Sequence, residues 1–477
     1  MFKRFYSSGL KKPVFDIKSV IGNINGYKQS IHSRQLLNHD ELALGLENLP
    51  LLFQSWKDYH QQLAEIQVQR KAIEKQLTLG KKFEQNAAKN STGQSIDKNK
   101  LKNLKLQSQN VTELINNAQD KMNDICDSLP NLVHHSCPAV APVTTDWINP
   151  LHDVSKDNQQ ESYVADPRKD HISILTQKGL VDFSAAASVS GTSFYYLFDE
   201  AAQLEQALIQ YAVQRARAHG FRFTLPPSIA RMDVIHSCGF RPRDDVASGE
   251  ENQIYHLSNT DKGLIATAEI TLAGLNANKV FHESAKTRPS LPLKLCGLSK
   301  SFRKEAGARG KDTKGLYRVH EFSKVELFIW CRPEESETHL LSLKNFQMDM
   351  IKELGLTAKV MNMPANDLGA PAFQKYDIEC WMPGRGSFGE TSSTSNCTDF
   401  QSRRMNTRFI SHVSDGHDAK PNKQNKVQTQ FVHTLNGTAM AIPRIIMAIV
   451  ENFYNPQTKM VAIPKPLQPF MNNKTHF

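Results

Sequence analysis

At 477 residues and 53.8 kDa the chain is too long for one small core, and its length alone suggests about two to four domains. A hydrophobic content of 39% with 22% charged residues is that of a globular protein with a core, and no apolar run approaches the ~20 residues that span a bilayer, so a membrane protein is not expected. The 58 Lys and Arg against 48 Asp and Glu leave a net charge of +10. That favours an anionic partner and leaves nucleic acid, phosphate and acidic membrane surface open.

The first fifteen residues, MFKRFYSSGLKKPVF, carry Lys3, Arg4, Lys11 and Lys12, and no acid precedes Asp16. This composition is that of a mitochondrial presequence. It assigns residues 1–13 to a targeting segment and the protein to the mitochondrial matrix, with the cytoplasm as the alternative if the terminus is merely basic. Seven cysteines, an odd number without a CxxC pair, argue against a disulfide framework or a Cys-rich zinc site and fit a reducing compartment.

The clearest periodicity follows. Leu49, Leu52, Trp56, Tyr59, Leu63, Ile66, Arg70, Ile73 and Leu77 alternate in steps of three and four, the a/d seam of a coiled coil interrupted by Arg70. After the polar stretch NAAKNSTGQSIDKNK the pattern resumes as Leu101, Leu104, Ser108, Val111, Ile115, Ala118, Met122, Ile125 and Leu129. Two heptad helices of roughly 30 to 35 residues joined by a polar turn predict an antiparallel hairpin over 49–129, an arm of about 45 to 55 Å. Lys81, Lys82, Lys98, Lys100, Lys102 and Lys105 cluster towards its tip. A solvated rod explains such a surface, and so does an arm that contacts a nucleic-acid backbone.

At Pro130 the heptads stop. "PNLVHHSCPAVAP" reads as a linker, and beyond it alternating apolar positions predict a mixed α+β domain with a largely antiparallel sheet. Helices are expected over Asp199–His219 and His339–Leu354. Near the middle, "SFRKEAGARGKDTKGLYRVHEF" (Ser301–Phe322) packs six cationic side chains around three glycines. Strands expected over Leu293–Lys304 and Tyr317–Trp330 make this a hairpin loop. GxxxxGK[ST] is absent, so any phosphate here would meet guanidinium groups, whose planar fork holds two oxygens at once.

The longer segment "FRKEAGARGKDTKGLYRVHEFSKVELF" resembles motif 2 of class II aminoacyl-tRNA synthetases in the form found in seryl-tRNA synthetases. "TAEI" (Thr267–Ile270) resembles that family's serine-binding signature, and "ETSSTSNCTDFQSRRM" (Glu390–Met405) its ATP and metal segment. "LNGTAMAIPRIIMAIVENF" (Leu435–Phe453) is similar to motif 3, and "FRFTLPPSIAR" (Phe221–Arg231) to motif 1, which with its preceding helix forms the dimer interface in this class. The resemblance runs from about Asp16 to the C-terminal region. It divides the chain into residues 14–135, a tRNA-binding domain bearing the arm, and 136–477, a class II catalytic domain on an antiparallel sheet flanked by helices.

The resemblance implies a serine–tRNA ligase: ATP and serine give seryl-adenylate and pyrophosphate, and serine then passes to the 3′ end of tRNA(Ser). It implies Arg303 on the α-phosphate and serine carboxylate, Glu305 on the adenine side, Val319 backbone against adenine, Phe322 beneath the ring and Arg444 above it. Lys304, Thr391 and Ser392 complete the ATP set, and Glu390 and Ser393 are the implied Mg²⁺ ligands, oxygen donors that suit a hard cation. Arg303, Glu305 and Arg444 form the catalytic set. Serine recognition falls to Thr267, Ala268, Glu269, Arg303, Glu326 and Thr438, and Thr438 stands where many family members carry Ser.

A site built to bond a substrate hydroxyl rejects analogues lacking it by a factor of ~10⁴ or more, so no editing domain is required. Two other classes compete. A synthetase-like serine carrier ligase would have little use for a basic arm, and a non-catalytic tRNA-binding homologue would be expected to have lost charged motif residues that are present here. The polar segment 411–426 reads as a surface insertion.

Overall fold

The structure, a computed structural model, describes residues 9–10, 13, 15–84, 92–154, 162–240, 253–282, 290–304, 315–410 and 428–477; the side chains of 77–84 and 92–98 lie outside that description. Two compact units result, Val14–Pro130 and a larger one of Asn131–Phe477 with Met1–Pro13. The division falls at Pro130, five residues before the boundary at 135 that the resemblance implies.

In the smaller unit the short helices α1 (Ile17–Gly22) and α2 (Ile24–Ser33) precede α3 (His39–Glu84) and α4 (Thr92–Ser128). The Asp16 carboxylate caps α1 by accepting from the Ser19 N–H. The seam residues are the ones withdrawn from water. Leu49, Ile73, Leu104, Ile115, Ala118, Met122 and Leu129 are buried, Trp56 is half-buried, and Tyr59, Leu63 and Ile66 are half-buried between exposed neighbours. The helices are longer than the heptads alone indicate, 46 and 37 residues. Residues 92–100, expected to belong to the turn, are helical instead. Their Gln and Lys lose little rotamer freedom in a helix, so a polar stretch contiguous with a packed helix continues it.

The larger unit is α+β. Its sheet contains β1 (Val143–Ile148), β2 (Arg222–Thr224), β3 (Leu293–Phe302), β4 (Glu321–Cys331), β5 (Ala358–Asn362), β6 (Gln374–Met382), β7 (Ser387–Thr398) and β8 (His433–Ala441). The spatial order is β1-β5-β6-β7-β8-β4-β3-β2, every pair antiparallel except β3 and β2. Four helices matter below: α5 (His171–Gln177), α6 (Asp199–Ala218), α7 (Glu269–Leu275) and α8 (Ser336–Glu353). Two more complete the set, α9 (Phe400–Met405) and α10 (Ile442–Phe453). Expected and observed helices agree at α6 and at α8, which starts three residues earlier at Ser336.

Central strand β4 shows how this fold makes a site. Val325, Leu327, Ile329 and Cys331 point into the large core with α6, α8 and α10, while Phe328 and Trp330 belong to a second core with α7 and α9. Being covered on both faces, the strand reads as a nearly continuous buried run. Its second face carries the residues that a ligand would meet.

No helix among the described residues is long and apolar enough to cross a membrane. Leu10, inside the expected presequence, donates its backbone N–H to Asp233 Oδ2 at 3.0 Å.

Candidate active site

Side chains alternate along a strand, so Phe322, Lys324 and Glu326 stand in line on one face of β4. Register sets their neighbours. Thr438 on β8 lies directly opposite Glu326, as does Gly297 of β3 on the other side. A Cβ at Gly297 would sit 3.0 Å from Leu272 Cδ1 and 3.5 Å from the Ala268 Cβ, so the missing side chain lets α7 approach the sheet closely. That approach brings Thr267, Ala268 and Glu269 beside Glu326, all of them buried.

The resulting pocket is strongly polar. Lys324 Nζ is 2.5 Å from Glu326 Oε2. Glu269 Oε1 accepts from Gln401 Nε2 at 2.6 Å and from Asn436 Nδ2 at 2.9 Å. Burial, with repulsion from Glu326, pushes the Glu269 carboxyl up to about 7, against the pull of Lys324, Gln401 and Arg303. Burial also raises Glu326, opposed by Lys324, Arg303 and a hydrogen bond from Thr267. Such a pocket offers an incoming ammonium group two carboxyl groups, with a hydroxyl on either side.

Glu390 and Ser393 are three residues apart on β7, and strict alternation would send them to opposite faces. Ser392 pairs with Ile378 and Glu390 with Glu379, leaving Thr391 as the extra residue of a bulge. The bulge returns Glu390 and Ser393 to the same side. A second irregularity lies between Thr438 and Met440 on β8, beside the strand pair that carries Glu326. Gln347 of α8 ties the two strands by donating to the Ser393 carbonyl at 2.8 Å and the Thr438 carbonyl at 3.0 Å.

A polar cleft opens above these strands. Arg303, Val319, Phe322 and Arg444 line it together with Glu390, Thr391, Ser392, Ser393 and Thr438. Thr267, Ala268, Glu269 and Glu326 are outside its lining; Lys324 and Arg303, which line the cavity and act electrostatically on both buried carboxyls, connect the two. Burial alone would raise Glu390, but Arg444, Lys375 and Arg303 outweigh it and hold the carboxyl at about 2. A carboxylate kept ionised by its cationic neighbours beside a hydroxyl on one cavity wall is a donor set that fits a hard divalent cation.

The cationic loop reaches this cavity at its two feet. Arg303 donates through Nε to the Ala266 carbonyl at 3.4 Å and lies over the Phe322 ring at 5.3 Å. Lys304 is outside the cavity lining, its backbone N–H bonded to the Gln253 carbonyl. Glu305 lies outside the described residues, as does segment 411–426. Arg444 Nη1 meets Glu390 Oε2 at 3.1 Å, its Nε donates to the Tyr317 carbonyl, and its guanidinium covers the Tyr317 ring at 4.6 Å. Arg444 and Phe322 thus line one cavity.

Of the arm lysines, Lys100, Lys102 and Lys105 are exposed; the side chains of Lys81, Lys82 and Lys98 lie outside the described residues. Sequence reasoning passed over Lys324, Gln401, Asn436 and Tyr317. Lys324 was legible as the residue two before Glu326 on the same strand face. Gln401 and Asn436 carry no local signal, because their role depends on α9 and β8 meeting over Glu269.

Residues 255–453 match the family model for the tRNA synthetase class II core domain (G, H, P, S and T). The chain is 45% identical over 467 residues to the mitochondrial serine–tRNA ligase of Saccharomyces cerevisiae, covering 98% of this chain and 96% of that protein. Against the mitochondrial serine–tRNA ligase of Schizosaccharomyces pombe the identity is 36%, covering 85% and 79%. The crystal structure of seryl-tRNA synthetase from Pyrococcus horikoshii complexed with ATP superposes with a TM-score of 0.81 at 30% identity, covering 97% of this chain and 99% of that one. With 45% identity over 98% of its length to one serine–tRNA ligase and a fold shared with a seryl-tRNA synthetase over 97% of its length, the chain belongs to the seryl-tRNA synthetases, members of the class II aminoacyl-tRNA synthetases.

Proposed function

We propose that the protein activates L-serine with ATP and transfers it to the 3′ end of tRNA(Ser) in mitochondrial translation. One observation carries the reading: Arg303 and Lys324 line a cavity that also holds the ionised Glu390 carboxylate and the Arg318 and Arg444 guanidinium groups, and the same two cations act on the buried Glu269 and Glu326 carboxyls. In the first step the serine carboxylate attacks the α-phosphorus, a new P–O bond forms, the bond to the β-phosphate oxygen breaks, and pyrophosphate leaves with that electron pair. In the second, a hydroxyl at the tRNA 3′ end attacks the serine carbonyl and AMP leaves.

Arg303 is positioned to neutralise charge growing on the α-phosphate, the largest contribution a fixed cation can make to such a transfer. Glu269 and Glu326 receive the serine ammonium, and Thr267 and Thr438 complete a polar lining for the hydroxyl. Phe322 and Arg444 flank the base, with Val319 at its edge. Glu390 and Ser393 would hold Mg²⁺, which when bound neutralises and orients the phosphate oxygens. Lys304, Glu305, Thr391 and Ser392 belong to the ATP set by resemblance.

A second copy of the chain is expected to cover the motif 1 segment, where Phe223, Leu225 and Ile229 are 43%, 70% and 47% exposed. The arm, Lys100, Lys102 and Lys105 included, grips the tRNA backbone, and residues 1–13 direct import. The names of the two yeast relatives support the mitochondrial assignment. Serine-dependent ATP–pyrophosphate exchange, followed by charging of mitochondrial against cytosolic tRNA, tests the reading. Exchange that did not depend on serine would overturn it, and fusion of Met1–Val14 to a reporter that stays in the cytosol would remove the import step.

A further inference from the structure

Beneath the site lies a buried group that none of these roles uses. His171, the first residue of α5, has a side chain 4% exposed, and Glu451, near the end of α10, one that is 0% exposed. His171 Nδ1 is 2.7 Å from Glu451 Oε1. The Leu316 backbone N–H donates to His171 Nε2 at 3.2 Å, and the Arg385 N–H donates to Glu451 Oε2 at 3.1 Å. An amide can only donate, so Nε2 is the acceptor and the ring proton sits on Nδ1, directed at Glu451. Asp170 Oδ1 is also near, 3.8 Å from Nδ1, but both ring nitrogens and both Glu451 oxygens are engaged in hydrogen bonds. This geometry is that of a hydrogen-bonded chain, and it leaves a metal ion no free donor on the imidazole.

The chain of bonds ends at the second foot of the cationic loop. Leu316 follows Gly315, which has φ +68° and whose Cβ, were there one, would collide with His171 Nε2. Leu316 precedes Tyr317, whose carbonyl accepts from Arg444 and whose hydroxyl accepts from the Glu390 N–H at 3.1 Å. The Tyr317 ring also meets the Arg385 guanidinium at 3.8 Å. One imidazole therefore joins α5, the end of α10 and Leu316, whose next residue, Tyr317, contacts both Arg444 and Glu390.

We infer that His171, oriented by Glu451, is a positioning residue for ATP: by accepting the Leu316 N–H it fixes the loop foot and with it Tyr317, Arg444 and Glu390. The inference rests on the reading of the cavity as an ATP site. His171 itself touches no ligand. Its loss acts on the nucleotide wall and spares the serine pocket, which is built from β4, α7 and β8.

The two ring nitrogens can be tested separately in the full-length protein. In His171→Asn the amide nitrogen can replace Nδ1 towards Glu451 but leaves the Leu316 N–H without an acceptor; in His171→Gln the longer side chain carries an oxygen to the position of Nε2. The Asn variant is expected to raise the KM for ATP in pyrophosphate exchange by about tenfold with the serine KM within about twofold, and the Gln variant to recover most of the ATP term. Gly315→Ala, which pushes the loop foot off the imidazole, should raise the ATP KM similarly and add little to His171→Asn in the double variant. Equal losses for Asn and Gln, a parallel rise in the serine KM, or full additivity with Gly315→Ala would overturn the inference in favour of a packing role. Calorimetric ATP affinity in the presence of Mg²⁺ is measured alongside. If the wild-type protein bound ATP but showed no exchange, the proposed reaction would fall, while the ranking of the His171 variants by ATP affinity would still decide this proposal.

Discussion

The arm and the catalytic sheet are both built from alternation, one with a period of seven and one with a period of two, yet they use it in opposite ways. In α3 and α4 the period keeps its step over about four heptads of each helix, with Arg70 the one charged residue on the seam, so each apolar seam side chain does the same thing as the one a heptad away. In β7 and β8 the useful positions are those where the period breaks: the bulge at Thr391 aligns Glu390 with Ser393, and another sits beside Thr438. A regular element tolerates the loss of any one residue, whereas a site assembled from register and its faults depends on each. Substitutions should therefore hurt the sheet site far more per residue than the arm.

Arg303→Ala gives the strongest form of that contrast. It should lower serine-dependent pyrophosphate exchange by about 10³-fold or more, since a preorganised cation at the reacting phosphate is lost, with little change in melting temperature because the side chain is only half-buried. Near-normal exchange in a folded variant would end its assignment. Glu326→Ala comes next. Removing a carboxyl 2.5 Å from Lys324 should raise the KM for serine by about 10²-fold and leave ATP binding within a few-fold. A serine KM that did not move would mean that the buried pocket is not the amino-acid site.

How much of this was legible in sequence differs between the two regions for the same physical reason. The arm's seam could be read position by position, because helix periodicity is local. The helix limits could not, because polar residues 92–100 are helical only as the continuation of a packed helix. In the catalytic unit, composition and alternation reached α+β and two of the long helices. The site set came from resemblance, since nothing local says that Glu326 faces Thr438 or that Glu269 is held by Gln401 and Asn436. The His171–Glu451 pair, 280 residues apart in sequence, had no local signal at all.

Exchanging the tip of the arm, residues 83–103, for a short turn should leave pyrophosphate exchange within about twofold and raise the KM for tRNA by about tenfold, as expected when backbone contacts are lost without touching chemistry. Unimpaired charging at physiological salt would reassign the arm as a structural rod. A smaller effect is carried by pH. Because the Glu269 carboxyl is raised from 4.5 to about 7 by burial, its contribution to stability is fullest below pH 4.5 and falls as pH rises through about 7, the reverse of an ion-paired carboxylate. The ammonium of serine needs the ionised form, so serine affinity should strengthen by roughly threefold to tenfold from pH 6 to 8. In Glu269→Gln, weak binding should be flat over that range, measured by titration calorimetry; an unchanged slope would shift the titration to another group.

The mildest change sharpens the comparison from the arm's side. Lys100, Lys102 and Lys105 lie on the exposed surface of α4 rather than on the seam, so changing all three to Gln removes charge without touching the packing of α3 on α4. If each neutralises one phosphate, tRNA binding should weaken only a few-fold at physiological salt, and the slope of log affinity against log salt should flatten by about 2 to 3. Thermal unfolding of the arm should be unaffected, since exposed lysines contribute little to a seam held by Leu49, Ile73, Leu104 and Met122. A loss of affinity with no change in salt slope would mean that these lysines act through the shape of the arm. An unchanged affinity and slope together would place the backbone contacts elsewhere on the molecule.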